Sequence, residues 1–449
     1  MQSLVSSGET IHQRWRLKQL DKIQIILEQH ESEILQALRD DLGKPSTEAI
    51  IEIIALKQEL KLAKKNLSKW MSPKRINIPL SLQPGDARVH LEPLGCILII
   101  GPWNYPFSLT IQPLISALAA GNTAVLKPSE NSPNTSKLIS KLFKYYFSEN
   151  IVQVFEGDKD VASALLEYSF NHIFFTGGTA VGKKILQAAA NHLTPVTLEL
   201  GGQSPAIILQ GADLEVTARR LIWGKGLNAG QTCLAPNHLL VQKSIKDPLI
   251  NQLKKAYLEF YGPNPIKSLD LAKIINEHHF SRLLDLLEIS KEKKQIVFGG
   301  EVDRERRIIP PTLIEVDSKD DQILQDELFG PIFPIMSINN LEAAIQSINK
   351  KTPPLAIYLF GGTSQDQELL LKKSSSGGVC FNDVIMHAGI PEMPFGGVGT
   401  SGMGRYHGYA GFLTFSNQRS VLKRPFILDF KLRYPPYKLN LNLLKKLLS

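Results

Sequence analysis

CILIIGPWNYP (residues 96–106) begins with five unbroken apolar residues and ends in a loop stiffened by one glycine and two prolines. The arrangement recurs along the chain. Apolar runs TAVL (123–126), IVQVF (151–155), HIFFT (172–176) and PVTLEL (195–200) alternate with helical stretches at about 108–120, 134–149, 158–167 and 179–191. A strand that stays apolar without alternation has both faces covered, and strands alternating with helices build a parallel, doubly wound α/β sheet. Such a sheet binds ligands beyond the carboxyl ends of its strands. That places the chemistry at 101–106, 127–130, 177–182 and 199–202.

Before this alternation, Leu20, Ile23, Leu27, Ile34 and Leu38 share one helical face, which Gly43 and Pro45 bring to an end. Leu56, Leu60, Ala63, Leu67 and Trp70 predict a second helix ending before Pro73. Residues 74–93 read as short strands around the turn Gln83-Pro84-Gly85-Asp86, outside any core pattern, which makes them a candidate arm toward another subunit. A second α/β region runs from about 204 to 417, with Cys233 early and PFGGVGTSGMG near its end. A chain of 449 residues is too long for one core and implies two or three domains.

Three widely spaced cysteines, Cys96, Cys233 and Cys380, support neither a disulfide framework nor a metal site, so a reducing cytoplasm and no bound metal are expected. No run approaches the roughly 20 apolar residues of a membrane span. The net charge of +8 is concentrated at the end: from Arg419 onward eight bases face one acid, Asp429, which leaves the body nearly neutral. That distribution argues against a nucleic-acid groove. On a helical wheel of residues 438–449, Leu439, Leu441, Leu443, Leu444, Leu447 and Leu448 share one arc, opposite Asn442, Lys445, Lys446 and Ser449. An amphipathic tail of this kind either touches a membrane surface peripherally or packs its leucines on the protein itself.

Cys233 lies in GLNAGQTCLAP, among small and polar residues that leave a sulfur accessible, whereas Cys96, in LGCILII, and Cys380, in GGVCFN, read as small buried hydrophobes. A free thiol ionises near pH ~8.5, so a nucleophilic one needs local stabilisation. Glu199 ends the strand VTLELGG beside two glycines, where a carboxylate can serve as general base or merely cap the next segment. Asn104, in GPWNYP, is a neutral amide able to donate to a developing oxyanion; taken alone, it reads first as a turn asparagine. Lys127 and Glu130, in LKPSE, suit ribose hydroxyls or water. Gly177 and Gly182, in FTGGTAVG, make a strand-to-helix turn whose amides could meet a pyrophosphate, although the spacing is not GxGxxG.

Taken in order, GPWNYP, LKPSE, FTGGTAVG, LELGG, GQTC, DELFGP and PFGG resemble the aldehyde dehydrogenase superfamily, over nearly the whole chain. The segment FNDVIMHAGIPEMPFGGVGTSGMGRYHG is similar to its class 3 branch, which acts on fatty and aromatic aldehydes. The resemblance implies a Rossmann-like NAD-binding domain (1–73 and 94–203), an α/β catalytic domain (204–410) and a small β oligomerisation arm (74–93 and 411–433), followed by the tail (434–449). It implies Cys233 as nucleophile, Asn104 and the Cys233 amide as oxyanion hole, and Glu199 as the base that activates water. Glu327 and Phe329 would hold the nicotinamide ribose and flank the ring, with Trp103 and Leu200 beside the cofactor. Lys127 and Glu130 would bind the adenine-side ribose, and Gly177 and Gly182 would border the phosphates. Tyr105, Leu109, Leu227, Leu234 and Met386 would line a substrate tunnel. NAD would be preferred, with some NADP use, and the protein would be a homodimer.

The sequence departs from the class 3 pattern at Gly226, where a bulky residue is common, and at Asn237, where aspartate is usual. Gly226 is expected to widen the tunnel; neither position is expected to touch the chemistry. Two other readings are a CoA-acylating aldehyde dehydrogenase and a catalytically silent binding protein on the same fold. The glutamate of LELGG argues for hydrolysis over thiol transfer, and the joint presence of Cys233, Asn104, Glu199 and Glu327 argues for an enzyme.

Overall fold

Of the 449 residues, the computed structural model describes 1–79, 82–427, 429, 433–437, 441, 442 and 445. The apolar runs of the first half form a six-stranded sheet. Its order is Gly402–Met403, Val196–Leu200, His172–Gly177, Cys96–Ile100, Thr123–Lys127, Val152–Val154. All pairings are parallel except that of Gly402–Met403 with Val196–Leu200. Every residue of Cys96–Ile100 is buried, as continuous apolarity requires of a central strand with helices on both faces. From this strand the chain builds outward to Val152–Val154, then returns to place His172–Gly177 on the other side. The carboxyl ends of Cys96–Ile100 and His172–Gly177 therefore flank a topological switch point, where crossover helices diverge and leave a crevice.

The second region is a seven-stranded sheet. Its order is Ile296–Phe298, Thr312–Val316, Ile332–Ile338, His238–Gln242, Pro205–Ile208, Ala356–Phe360, Gly378–Phe381. Only the Ile296–Phe298 edge is antiparallel. Helices Leu214–Gly226 and Lys246–Tyr261 bury their apolar stripes against it through Leu221, Ile222, Leu249 and Leu253.

The N-terminal helical face is broken where the sequence predicts continuity. Helices Gln13–Gln29 and Glu31–Leu42 are separated at His30, whose ring meets Glu33 Oε1 at 2.5 Å and the distant Tyr146 hydroxyl at 3.0 Å. A tertiary contact overrides local periodicity there. Gly43 ends the second of these helices in the left-handed conformation, φ 64°, as its position suggests. Helix Ser46–Met71 buries Leu56, Leu60, Ala63, Leu67 and Trp70, the predicted face.

The predicted hairpin comprises Lys74–Ile76 and Asp86–Pro93 and gains a third, non-local strand, Ser416–Lys423, which pairs with Asp86–Pro93 along its whole length. This strand starts later than the sequence suggests. Residues 408–414 form a helix whose Phe412 ring packs 5.5 Å from Trp70 in the first core. Among the described residues no helix is long and apolar enough to cross a membrane. Most of the predicted leucine arc of the tail (Leu439, Leu443, Leu444, Leu447 and Leu448) lies outside the described residues; Leu441 is helical and exposed.

Candidate active site

A cavity of about 970 Å³ opens at the switch point and runs from Lys127 and Glu130 to Cys233. Its floor comes from loops after three parallel strands: Gly101, Trp103 and Asn104; Lys127 and Glu130; Gly177 and Gly178. Its inner end is built by Glu199, Leu200, Gly201, Cys233, Glu327 and Phe329. One wall was not read from the sequence. Helix Glu277–Glu292 lines the cavity with His279, Arg282, Asp285, Leu286 and Ile289, residues that carried no motif.

Trp103 is wedged between His279, with ring centres 5.1 Å apart, and Phe329, edge-on at 5.3 Å. Phe329 itself has φ 45°, an unfavourable backbone held by its neighbours. Arg282 donates to the Leu328 carbonyl at 2.6 Å, and Asn237 accepts from the Leu328 amide at 2.8 Å. Both clamp the turn between Glu327 and Phe329. Asn237, expected to stand apart from the site, thus helps to shape it. Gly201 leaves room for the Glu327 carboxylate, since a Cβ would come within 2.0 Å of Glu327 Oε2.

Lys127 is buried, and its ammonium bonds Glu130 at 2.7 Å while that carboxylate stays exposed. Gly178 faces open space before helix Thr179–Ala190, leaving its amide end uncrowded. Gly182 does not line the cavity. A Cβ at that position would approach Leu200 Cδ2 to 2.7 Å, so its smallness seats the helix on the strand.

Around Cys233 the chemistry is that of buried, mutually repelling groups. Glu199 pairs in register with Thr176 on the next strand, and neither the Thr176 hydroxyl nor either Glu199 oxygen has a hydrogen-bond partner. Burial raises the Glu199 pKa well above the usual carboxylate range, with Arg405 opposing weakly. Burial likewise lifts Glu327 to about 7, against the Gly202 amide, Lys225 and Arg282. The Cys233 thiol is pushed up to about 12 by burial and by the charges of Glu327 and Glu199, despite its own and the Leu234 amides. Lys225, fully buried, is pushed down to about 7 by desolvation, partly offset by Glu327. It too was unmarked in the sequence. The Asn104 amide nitrogen donates to the Gln231 carbonyl at 3.0 Å, which leaves its second N–H free. Thiol, amide donor and unpartnered carboxylate together suit attack on a polarised carbonyl followed by activation of water.

The five residues expected to line a tunnel do not line this cavity. Tyr105 bonds the Thr232 hydroxyl at 2.8 Å, Leu109 is half-buried on the first turn of its helix, and Leu227 is buried. Leu234 packs in the second core beneath Tyr358, and Met386 is 52% exposed. Nor does Gly226 open a space. A Cβ there would fall 1.8 Å from the Tyr261 hydroxyl, so a side chain from helix Lys246–Tyr261 already fills the room the glycine leaves.

The fold and cavity have clear relatives. The model of the aldehyde dehydrogenase family matches residues 7–421. Curated relatives at 44–45% identity include aldehyde dehydrogenase family 3 members. The dimeric NADP-preferring aldehyde dehydrogenase of Canis lupus familiaris is 43% identical over 96% of this chain and 95% of its own. The 4,4'-diaponeurosporen-aldehyde dehydrogenase of Staphylococcus aureus is 43% identical over 94% and 92%. A solved substrate-bound state of Staphylococcus aureus AldH superimposes with TM-score 0.95 at 40% identity, covering 100% of this chain and 98% of that one.

The raised thiol gives a direct expectation. Below its pKa the thiolate fraction grows about tenfold per pH unit, so alkylation of Cys233 by iodoacetamide should keep accelerating from pH 7 to 10 in the free protein. Peptide mass spectrometry resolves Cys233 from Cys96 and Cys380. A rate that levels off below pH 8 would contradict the environment described.

Proposed function

This chain belongs to the aldehyde dehydrogenase family, with family 3 members among its relatives, and we propose that it oxidises hydrophobic aldehydes to carboxylic acids through a thioester on Cys233. It is an oxidoreductase that uses NAD(P), as its family does. The observation that carries the mechanism is the unpartnered Glu199 carboxylate in one cavity wall with Cys233 and Asn104.

The Cys233 thiol gives its proton to solvent water as its sulfur adds to the aldehyde carbon. The oxygen gains negative charge and takes hydrogen bonds from the free Asn104 N–H and the Cys233 main-chain N–H. Bound NAD(P) supplies the acceptor for the hydride that leaves this carbon. What remains is an acyl thioester on Cys233. Glu199 then removes a proton from water as its oxygen attacks the acyl carbon, and the Cys233 sulfur leaves. A carboxylate raised by burial is a stronger base than a free one, and it has no competing hydrogen bond to break. Glu199 is also what favours water over a thiol as acyl acceptor.

The cavity suits the dinucleotide in size and chemistry. Lys127 and Glu130 would hold the adenine-side ribose, Gly177 and Gly178 the phosphates, and Glu327 the nicotinamide ribose. Trp103, Leu200 and Phe329 would flank the rings. Glu130 accepts from a 2′-hydroxyl but repels a 2′-phosphate, and Lys127 tempers that repulsion. NAD is therefore the preferred cofactor, with NADP used less well. A relative named for a polyene aldehyde supports an apolar substrate, for which Tyr105, Leu109, Leu227, Leu234 and Met386 are the candidate contacts. Assembly as a homodimer, in keeping with the canine relative named dimeric, would cover the outlying three-stranded sheet, where Ile76, Val421 and Leu422 are exposed.

In a series of aldehydes run with each cofactor, each added methylene should tighten binding by ~0.8 kcal/mol, about fourfold, until the site ends. Faster turnover of acetaldehyde than of a medium-chain aldehyde, or a clearly higher kcat/KM with NADP, would contradict this assignment. Light scattering at micromolar concentration should give twice the chain mass; a monomer would exclude the dimer.

A further inference from the structure

Three charged side chains near the start of helix Ser46–Met71 reach beneath the two loops that carry Asn104 and Cys233. The Lys44 and Glu52 side chains are both fully inaccessible, and their Nζ and Oε1 lie 2.6 Å apart. The same ammonium donates to the Asn104 carbonyl at 2.8 Å and sits 3.9 Å above the Tyr105 ring. Glu52 Oε2 accepts from the Ser108 amide at 2.9 Å and its hydroxyl at 3.1 Å, fixing the far end of the same loop.

From the other side, Asn228 Nδ2 donates to the Asn104 carbonyl at 2.9 Å and to the Gln231 carbonyl at 3.2 Å. Asn228 is itself held with φ 52° while its amide donates to Glu48 Oε2 at 2.9 Å. The Asn104 carbonyl therefore has two donors, one from each side. Its side-chain nitrogen is aimed by the Gln231 carbonyl, two residues from Cys233.

Burying an ion pair is a poor route to stability, because desolvation offsets the attraction and apolar replacements often hold as well. This pair also fixes geometry, since every remaining polar atom of Lys44 and Glu52 described above grips a loop of the site. We propose that Lys44, backed by Glu52 and matched by Asn228, is a positioning residue that sets where the Asn104 amide stands relative to the Cys233 sulfur. The proposal rests on the thioester reading given above. Lys44 touches neither substrate nor cofactor in this account, and it acts through the Asn104 peptide.

The test compares the NADH burst, steady-state KM, the cofactor dissociation constant and thermal stability in Lys44→Met/Glu52→Gln. That double variant removes the ammonium without stranding a buried charge. Misplacing a reacting group by about 1 Å costs ~10²-fold, so the burst rate and kcat should fall ~10²-fold. KM and cofactor affinity should stay within about threefold. Hydrolysis of p-nitrophenyl acetate by the cofactor-free protein, which needs the same thiol and amide donor, should fall in parallel.

Asn228→Gly keeps the backbone conformation and removes the second donor, so it should lower the burst in the same direction and decides the matter if the double variant does not fold. A burst within threefold of the parent in a folded variant would overturn the proposal. So would an equal loss of cofactor affinity, which would mean general loosening. Cys233→Ala runs alongside: a burst that survives it would instead remove the thioester reading itself.

Discussion

Cys96–Ile100 lies beside His172–Gly177 in the first sheet, yet two strands and three helices of sequence separate them. This single parallel pairing forces the chain to turn back across the sheet and splits the loops that follow the strands. Everything that makes the site depends on that split. It gives the loop bearing Asn104 room to descend toward Cys233, and it lets helix Glu277–Glu292 close the cavity from the second region. The apolarity of five consecutive residues at 96–100 is what makes the pairing stable, since any polar side chain there would be buried under a helix.

The site then sets buried charges against one another. Two carboxylates and a thiol share an enclosed volume, and burial holds each toward its neutral form. The opposing cation, Lys225, is buried as well and pushed toward neutrality. Such a set is costly in a resting protein and useful in a working one. A thiol that ionises only when something draws its proton is protected from idle reaction. A carboxylate that lacks partners is, once ionised, free to accept a proton from water. Around them, Lys44, Glu52, Asn228, Gln231 and Asn237 all hold backbone rather than reacting atoms.

What the sequence makes legible follows from the range of the forces involved. The strands at 96–100 and 172–177 and the helices between them are read from local apolarity, and they stand where expected within three residues. Cys233, Asn104, Glu199 and Lys127 could be singled out because small and rigid neighbours mark their segments, whereas Glu327 and Phe329 come only from the family resemblance, and the fold brings all six to one cavity. Contacts between distant segments leave no such mark. The break at His30 depends on Tyr146, the space at Gly226 is taken by Tyr261, and the clamp on Leu328 joins Asn237 to Arg282. No motif marks Lys44, and only the fold shows it inaccessible beneath the Asn104 loop.

The thioester on Cys233 is the step from which the rest of the chemistry is argued. Replacing Glu199 by glutamine removes the base for its hydrolysis while leaving the sulfur and the Asn104 amide in place. After one turnover with a medium-chain aldehyde and NAD, peptide mass spectrometry of Glu199→Gln should find the acyl group accumulated on Cys233, and far less of it in the parent. NADH released with no acyl group on Cys233, or with the group on another residue, would contradict the account.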